Sequence, residues 1–331
     1  MRLCLKGLSA PAVLLVLLTA PAPVSATSCT MQAELSRQDR DALSAAGGRL
    51  TVAVAEQDYA ALKAALLPAM AADWEGIRQE SEVGAVLMKG GQVQLQNAYL
   101  LDASSLAAPA DTQFFCTDAS GSLTVSLTMR ALPPGRYALV VANAIGAPLG
   151  GQLSFVLVWS GPADGWKLGG LTARPGALDG HDGVWWWKRA RELAKDGNSW
   201  AAWYAYETAR ALLLPVDFLS SPNLDKLGTE QTAIRNSPQG AFPLTLPDGT
   251  RTWKINAVHL DESLLHADLG VIYESTGVTD PAAQRTEAMA VLTAFMKTQP
   301  GLRQDFHGLW AYAVKDGKRT PVMEQPMGQI P

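Results

Sequence analysis

The spacing of apolar residues changes within the first half of the chain, and this change limits the possible folds more than any other feature. Between residues 43 and 66, apolar residues recur at helical intervals, interrupted by Gly47-Gly48. From Val83 onward the period becomes two, and residues 123–129 alternate apolar side chains with Thr and Ser. Turns rich in Pro and Gly separate the strands. Consecutive strands joined by short turns predict an antiparallel sheet, with the early helices on one face.

The order of these elements resembles a known superfamily. A helix that ends near the sequence EQDYAAL is followed by a predicted curved sheet whose last strand is DGWKLGGL. This arrangement resembles the cone-shaped NTF2-like (cystatin-like) superfamily over residues 36–174. The resemblance implies a pocket between helix and sheet, which members use for binding, catalysis or dimerisation. Catalytic members place an Asp or His in that pocket, but no residue here matches such a position, so activity is not implied.

Residues 182–215 hold five of the ten Trp residues in the chain, which raises the question of their role. On the predicted helix 184–195, Trp186 and Trp187 share one face with small and apolar residues. Trp185 points about 140° away from Ala190 at a helical step of about 100° per residue. Two of these three Trp residues are therefore predicted to pack inward, and Trp185 outward.

A second predicted helix, residues 199–214, is apolar on all sides. A helix of this kind is normally buried all round, so we expect it to lie between its partner helix and one of the sheets. The two helices, residues 184–214, are similar to a single tetratricopeptide-type hairpin, which implies a clamp between domains. The alternative is an exposed stacking surface for a sugar or peptide, with these candidate binding residues: Trp185, Trp200, Trp203 and Tyr204.

The first 26 residues have the features of an export signal. Arg2 and Lys6 precede an apolar run, and Val24-Ser25-Ala26 forms a cleavage site for a signal peptide. The apolar run is too short for a membrane span, so no transmembrane segment is expected in the mature chain. Removing these residues takes away two basic groups and gives a formal charge of 25 − 31 = −6. This charge argues against a nucleic-acid partner.

Signal cleavage would leave Cys29 and Cys116 as the two cysteines of the mature chain. An even pair in an oxidising compartment favours a disulfide between them. The alternative makes Cys29 the lipidated N-terminus of a lipoprotein. The predicted location is therefore periplasmic or secreted.

The histidines are the main candidates for chemistry, but their spacing matches no usual zinc motif. His259 lies close to Asp261, and His266 follows, so the two rings would meet if the flanking strands paired as a hairpin. His181 lies in a polar loop, and His307 precedes a glycine in a predicted loop. The sequence also lacks a nucleophile elbow, a phosphate loop and a dinucleotide fingerprint. We therefore predict no catalytic residues, no metal site and no cofactor.

The chain divides into four predicted segments. These are a signal peptide (residues 1–26), an NTF2-like α+β domain (27–174), a helical hairpin and linker (175–240), and a small α+β domain (241–331). The last segment has the predicted order strand, strand, helix, strand, strand, because Asp248-Gly249 and Asp316-Gly317 form hairpin turns. Between these turns, Asp280 is the expected N-cap of the helix.

The predicted function is a non-catalytic binding or assembly role in the bacterial envelope, with an unidentified protein or small molecule as partner. The first alternative is an enzyme that acts on a small molecule, with His259, His266 or Asp261 in acid–base roles. The second is carbohydrate or peptide binding through exposed Trp residues. A convergent set of titratable groups, two exposed coplanar rings, or an apolar exposed patch would distinguish these three functions.

Overall fold

The computed structural model describes residues 27–121, 124–249 and 251–331, and it shows an α+β fold. The predicted signal peptide lies outside the described residues. The N-terminal part consists of β1 (Ser28–Met31), α1 (Arg37–Ala55), α2 (Tyr59–Ala65), α3 (Trp74–Met88), β2 (Gln92–Asp102), β3 (Ala110–Thr117), β4 (Thr124–Leu132), β5 (Arg136–Ile145), β6 (Gln152–Trp159) and β7 (Trp166–Arg174). The remainder consists of β8 (Ala177–Leu178), β9 (His181–Asp182), α4 (Gly183–Lys195), α5 (Ser199–Leu213), β10 (Leu219–Ser220), α6 (Pro222–Thr232), β11 (Leu244–Asp248), β12 (Arg251–Asp261), β13 (Asp268–Glu274), α7 (Pro281–Thr298), β14 (Gly308–Lys315) and β15 (Lys318–Pro326). The predicted fold class, with helices on an antiparallel sheet, a helical hairpin and a C-terminal α+β unit, is confirmed.

Helix α1 begins where the sequence predicts and continues further than expected. Ser36 accepts a hydrogen bond of 3.0 Å from the backbone nitrogen of Asp39, as an N-cap should. The expected interruption at Gly47-Gly48 is absent. Gly47 lets α1 lie close to the sheet, because a Cβ atom there would be 2.8 Å from Cγ1 of Val140. The glycine pair therefore marks close packing and not a helix break.

The change of period at Val83 does not mark the first strand. Helix α3 continues to Met88, and β2 begins at Gln92. The prediction of a strand from Val83 was wrong because burial here follows a helical spacing: Gly84 and Leu87 are buried, whereas Val83 and Val86, three residues apart, are exposed. A short run of apolar residues does not distinguish the two periods.

The N-terminal strands form two stacked sheets instead of one. The main sheet has the order β1-β2-β5-β6-β7, and β3 and β4 leave it to form a second sheet with β10. Strand β5 is buried on both faces. Ala138, Val140 and Ala142 face α1 and α3, whereas Leu139 and Val141 face the second sheet. β5 therefore contributes side chains to two cores. A strand of a half-buried sheet would contribute to only one.

A disulfide joins the two N-terminal sheets. Cys29 of β1 is bonded to Cys116 of β3, at a sequence separation of 87 residues. The predicted pair is confirmed, and its presence indicates an oxidising, extracytoplasmic environment. The same bond occupies the sulfur of Cys29 that lipidation would need. No helix within the described residues combines the length and the apolar character needed to cross a membrane.

The third core joins the helical hairpin to the C-terminal sheet. Strands β11 to β15 lie side by side in sequence order, and β13 and β14 run parallel. A parallel connection needs a crossover, which α7 supplies from its N-cap at Asp280. Three strands precede this helix, not two as predicted, because β12 and β13 form their own hairpin. Helices α4, α5 and α7 share one apolar core with the sheet.

Candidate functional site

One face of the C-terminal sheet packs on the helices, and the other carries a concentrated group of polar side chains. Alternation along the strands sends Val258, Leu269 and Leu309 into the helical core. The residues next to them along each strand project from the opposite side. We call this surface the polar face and define it by six side chains: His259, Asp261, Asp268, Trp310, Tyr312 and Glu324.

A first group on the polar face centres on Asp261, which is buried. The hydroxyl of Tyr312 donates to Oδ2 of Asp261 over 2.5 Å, and Ser263 donates to Oδ1 over 2.6 Å. Burial opposes ionisation, but these hydrogen bonds from Ser263 and Tyr312 prevail and lower the pKa of Asp261. Nε2 of His259 lies 3.9 Å from the same carboxylate. Burial lowers the pKa of His259, so its ring favours the neutral form.

A second group joins residues from three elements. Nδ1 of His307 lies 2.9 Å from Oδ1 of Asp268 and 3.9 Å from Oε1 of Glu324. The ring of His307 stacks on that of His266 with centroids 3.8 Å apart. His266 is in turn held by Asp179, whose Oδ1 lies 2.6 Å from its Nδ1. We call His307, Asp268 and Glu324 the carboxylate–histidine cluster.

Burial raises the pKa of both carboxyl groups in this cluster. It raises the pKa of Asp268, against the opposing effect of His307. It also raises the pKa of Glu324, and the nearby Asp268 adds to that rise. Two carboxyl groups that are poorly solvated and close together resist simultaneous ionisation. A cation between them would remove this cost.

Several buried polar atoms near the polar face have no hydrogen-bond partner. Nine such side-chain atoms occur among the described residues, and five of them belong to His259, Glu262, Asp268, Trp310 and Glu324. Buried polar atoms are normally paired, since leaving one unpaired costs about 1–3 kcal/mol. Their concentration on one surface distinguishes it from the rest of the described chain.

Two glycines shape the polar face. A Cβ atom at Gly270 would lie 2.4 Å from Cε1 of His259, so the absence of a side chain lets that ring lie flat over β13. A Cβ atom at Gly308 would lie 2.4 Å from Oε1 of Glu324 and 3.0 Å from Oδ1 of Asp268. Gly308 therefore lets the two carboxylates lie close to the backbone of β14.

The predicted meeting of His259 and His266 across a hairpin does not occur. Strands β12 and β13 do pair, but His259 lies opposite Gly270, and His266 lies in the connection between the strands. Each ring joins a different group of carboxylates. His307, interpreted from sequence as a loop residue, is the histidine that contacts Asp268.

The aromatic residues proposed as a binding surface are mostly part of the core. Tyr204 is 1% exposed, and Trp200 packs between Phe242 and Phe295. Trp203 also packs against this core. Trp185 is 37% exposed, and its ring stacks on His181 with centroids 3.6 Å apart. Trp185 is the most exposed of the four, and a single partly exposed ring does not make a two-ring platform.

The helical hairpin is buried as predicted, with α5 between α4 and the C-terminal sheet. Trp186 is 1% exposed, which confirms its inward orientation. Near the outer end of the hairpin, Trp187, Arg191 and Tyr206 all bind the carboxylate of Glu230 beside an open cleft of about 660 Å³. Burial raises the pKa of Tyr206 to about 12, and Glu230 adds to the rise. These side chains satisfy one another, so the network stabilises the junction with α6.

The expected pocket between the N-terminal helices and their sheet is filled with side chains. Leu43, Leu50 and Val54 of α1 are buried against Val140 and Phe155 of the sheet. This interface therefore offers packing where the NTF2-like resemblance implies a binding site. Among the described residues, the polar face is the stronger candidate.

The donor atoms of the carboxylate–histidine cluster suit a metal ion. One imidazole nitrogen and two carboxylate oxygens lie within 4.8 Å of one another. Mixed nitrogen and oxygen donors of this kind are ligands for zinc and neighbouring divalent metals. The His259–Asp261–Tyr312 group, in contrast, has the components of a proton-transfer site.

Comparisons with protein-family models, with curated proteins and with solved structures found no match. The resemblances to the NTF2-like superfamily and to a tetratricopeptide-type hairpin therefore stay predictions. The division into domains at residues 174 and 240 likewise stays a prediction.

Proposed function

We propose that the chain is an exported, non-catalytic binding protein of the bacterial envelope, and that its ligand binds to the polar face of the C-terminal sheet. The observation that carries this proposal is the concentration of buried, unpaired polar atoms on that face. The signal-like N-terminus and the disulfide support a periplasmic or secreted location.

The charge of the polar face favours a cationic ligand. Five carboxyl groups lie on it or directly beside it, namely Asp179, Asp261, Glu262, Asp268 and Glu324. Arg319 and Arg174 supply positive charge at its margins, one over the ring of Tyr312 and the other paired with Asp217. Burial lowers the pKa of His259, so this ring adds little positive charge to the face. A ligand with a positive charge would therefore gain from binding here.

A binding role also accounts for the hydrogen bonds of the histidines. Within the described residues, the His266 and His307 rings bond to carboxylates and not to Ser or Thr hydroxyl groups. Both described cysteines are in the disulfide. Covalent catalysis by Ser or Cys needs such a hydroxyl or thiol beside a base. The geometry supports ligand binding better than covalent catalysis.

Thermal unfolding with and without cationic probes tests this function. The probes are putrescine, spermidine, Zn²⁺, Mn²⁺ and Ca²⁺, applied to the untagged chain with its disulfide formed. A ligand that binds only the folded state raises the Tm. We expect at least one probe to do so in the wild type, and to lose its effect in a combined Asp261→Asn and Glu324→Gln variant.

Glu274→Gln is the matched control, since this carboxylate lies on the same sheet and is exposed in a pair with Lys254. The probe should raise the Tm of this variant as in the wild type. The proposal is wrong if no probe changes the Tm, or if the combined variant responds like the wild type.

The arrangement of His259, Asp261 and Tyr312 supports acid–base catalysis as a second candidate function. A neutral His259 next to an oriented carboxylate has the form of a general base. A screen with chromogenic esters, phosphates and glycosides tests it. Turnover that disappears in His259→Gln and persists in His181→Gln would replace the non-catalytic proposal.

A further inference from the structure

The carboxylate–histidine cluster has a geometry that a simple salt bridge does not need. Asp268 begins β13 and Glu324 lies in the last part of β15, whereas His307 is the loop residue directly before β14. The parallel pairing of β13 and β14 brings His307 and Asp268 together, and the antiparallel pairing of Trp310 with Glu324 brings the third residue. The pairing of three neighbouring strands thus places one donor atom from each residue near the same point.

The buried carboxylate of Asp268 is the observation that points to a ligand. Asp268 is 0% exposed, yet among the described residues its Oδ2 atom has no hydrogen-bond partner. Oε1 of Glu324 is likewise buried and unpaired. A purely structural ion pair would leave two oxygens unsatisfied, whereas coordination to a cation would use them.

Gly308 lets the two carboxylates lie close together over the start of β14. A Cβ atom at this position would lie 2.4 Å from Oε1 of Glu324 and 3.0 Å from Oδ1 of Asp268. The three donor atoms of the cluster lie within 4.8 Å of one another. Bonds from a divalent metal to oxygen or nitrogen are about 2.0–2.6 Å long, so small movements of the three side chains would let one ion bind all three atoms. A side chain at position 308 would displace the two carboxylates.

The surrounding residues hold the histidine in place. The backbone nitrogen of His307 donates to the carbonyl of Ala267, and its ring stacks on His266. Asp179 fixes His266 and also accepts from the backbone nitrogen of Ala267. Metal-binding histidines are commonly oriented by such secondary contacts.

From this geometry we propose that Asp268, His307 and Glu324 bind a divalent metal ion of the zinc class. The imidazole nitrogen favours zinc and neighbouring first-row metals over Ca²⁺ and Mg²⁺, which prefer oxygen donors alone. Three protein ligands leave a coordination position open for a group of a bound partner. The proposal rests on the proposed function, because it takes the polar face as the binding surface and names the cation.

Isothermal titration calorimetry with ZnCl₂ tests this site on the untagged, disulfide-bonded chain. We expect one Zn²⁺ per chain, and a Co²⁺ complex with visible absorption bands from the same site. His307→Ala and Glu324→Gln should each lower Zn²⁺ affinity by more than about 10-fold, since even changes to secondary contacts cost roughly 10- to 100-fold. His181→Gln removes a histidine whose ring stacks on Trp185 and that is not one of the three proposed ligands, so it should keep wild-type affinity.

Gly308→Ala provides a test that removes no ligand. Its Cβ atom would displace the carboxylates of Glu324 and Asp268, so Zn²⁺ affinity should fall as in Glu324→Gln. Gly328→Ala is the matched control, because a Cβ atom there meets nothing within 4 Å. Circular dichroism of each variant confirms that the chain is folded.

The proposal is overturned if the wild type binds no Zn²⁺, or if His307→Ala and Glu324→Gln bind it as tightly as the wild type does. These results are separate from the test of the proposed function. If putrescine or spermidine still raises the Tm through the polar face while Zn²⁺ does not bind, the metal site is wrong and the binding surface stands. If no cation binds there, both proposals fail.

Discussion

The hydroxyl of Tyr204 donates a hydrogen bond of 3.2 Å to the backbone carbonyl of Val258, deep between α5 and β12. Tyr204 is the residue of the Trp-rich hairpin that most directly joins it to the C-terminal sheet. Burial raises the pKa of this hydroxyl, so it stays protonated and donates over the ordinary pH range. The aromatic residues of the hairpin therefore serve mainly to pack the C-terminal core.

Substitution of two neighbouring Trp residues compares the stability contribution of a buried ring with that of a partly exposed ring. Trp186→Ala removes a ring that is 1% exposed and contacts Phe306, so the free energy of unfolding should fall by about 3–5 kcal/mol. Trp185→Ala removes a partly exposed ring stacked on His181, and should cost about 1 kcal/mol. Urea denaturation measures both values. Equal losses would contradict the assignment of one ring to the core and the other to the surface.

The glycine pair in α1 gives a second matched comparison. Gly48→Ala adds a Cβ atom that meets nothing within 4 Å, and should stabilise the protein by about 0.5–1 kcal/mol. Gly47→Ala forces a Cβ atom to within 2.8 Å of Val140, and should destabilise it by about 1–3 kcal/mol. Thermal and urea unfolding measure whether each substitution raises or lowers the stability. Stabilisation by both substitutions would show that α1 does not lie so close to β5.

Loss of the disulfide should destabilise the N-terminal sheets. The bond closes a loop of 87 residues, and removal of a native disulfide typically costs about 2–5 kcal/mol. Urea denaturation of a Cys29→Ser and Cys116→Ser double variant should show this loss. Reductant should produce the same loss in the wild type and no effect in the double variant. Identical unfolding midpoints for both proteins would argue against a contribution from the bond.

The ionisation of Glu262 should make the stability of the protein depend on pH. Burial raises the pKa of this carboxyl group, with Arg174 opposing the rise and Asp261 adding to it. A group with a raised folded-state pKa contributes stability below its unfolded pKa, and that contribution is lost as the pH rises through the folded value. Glu262→Gln should therefore be more stable than the wild type near neutral pH, and the difference should shrink toward about pH 4.

Urea denaturation over this pH range measures the effect, and Glu56→Gln is the control at an exposed carboxylate. A difference between Glu262→Gln and the wild type that stays constant with pH would contradict a buried, poorly solvated Glu262.

Local signals in the sequence predicted much of the fold. Capping residues located helix starts, as Ser36 and Asp280 show, because a cap acts within three residues of its own position. The orientation of Trp185 and Trp186 followed from helical geometry alone. The departure of β3 and β4 from the main sheet could not be predicted, because strand alternation does not specify which strands pair.

The candidate site was only partly predictable for the same reason. The sequence singled out His259 and Asp261, which are two residues apart on one strand face. It did not connect His307 with Asp268, which lies 39 residues away and meets it only through a parallel strand pairing. No local spacing marks that kind of contact. The role of Gly308 also depends on Glu324, which lies on β15.

The short strand β10 has a consequence for dissecting the protein. Although it follows the helical hairpin in sequence, it pairs with β4, and Leu219 completes the core between the two N-terminal sheets. Ser154 of β6 also donates to the carbonyl of Pro215. A fragment ending at Arg174 would expose the side of β4 that β10 covers and would lack part of its own interior. The N-terminal sheets should therefore complete their folding only when the chain beyond residue 220 has reached the same compartment, which makes their assembly late although their sequence comes early.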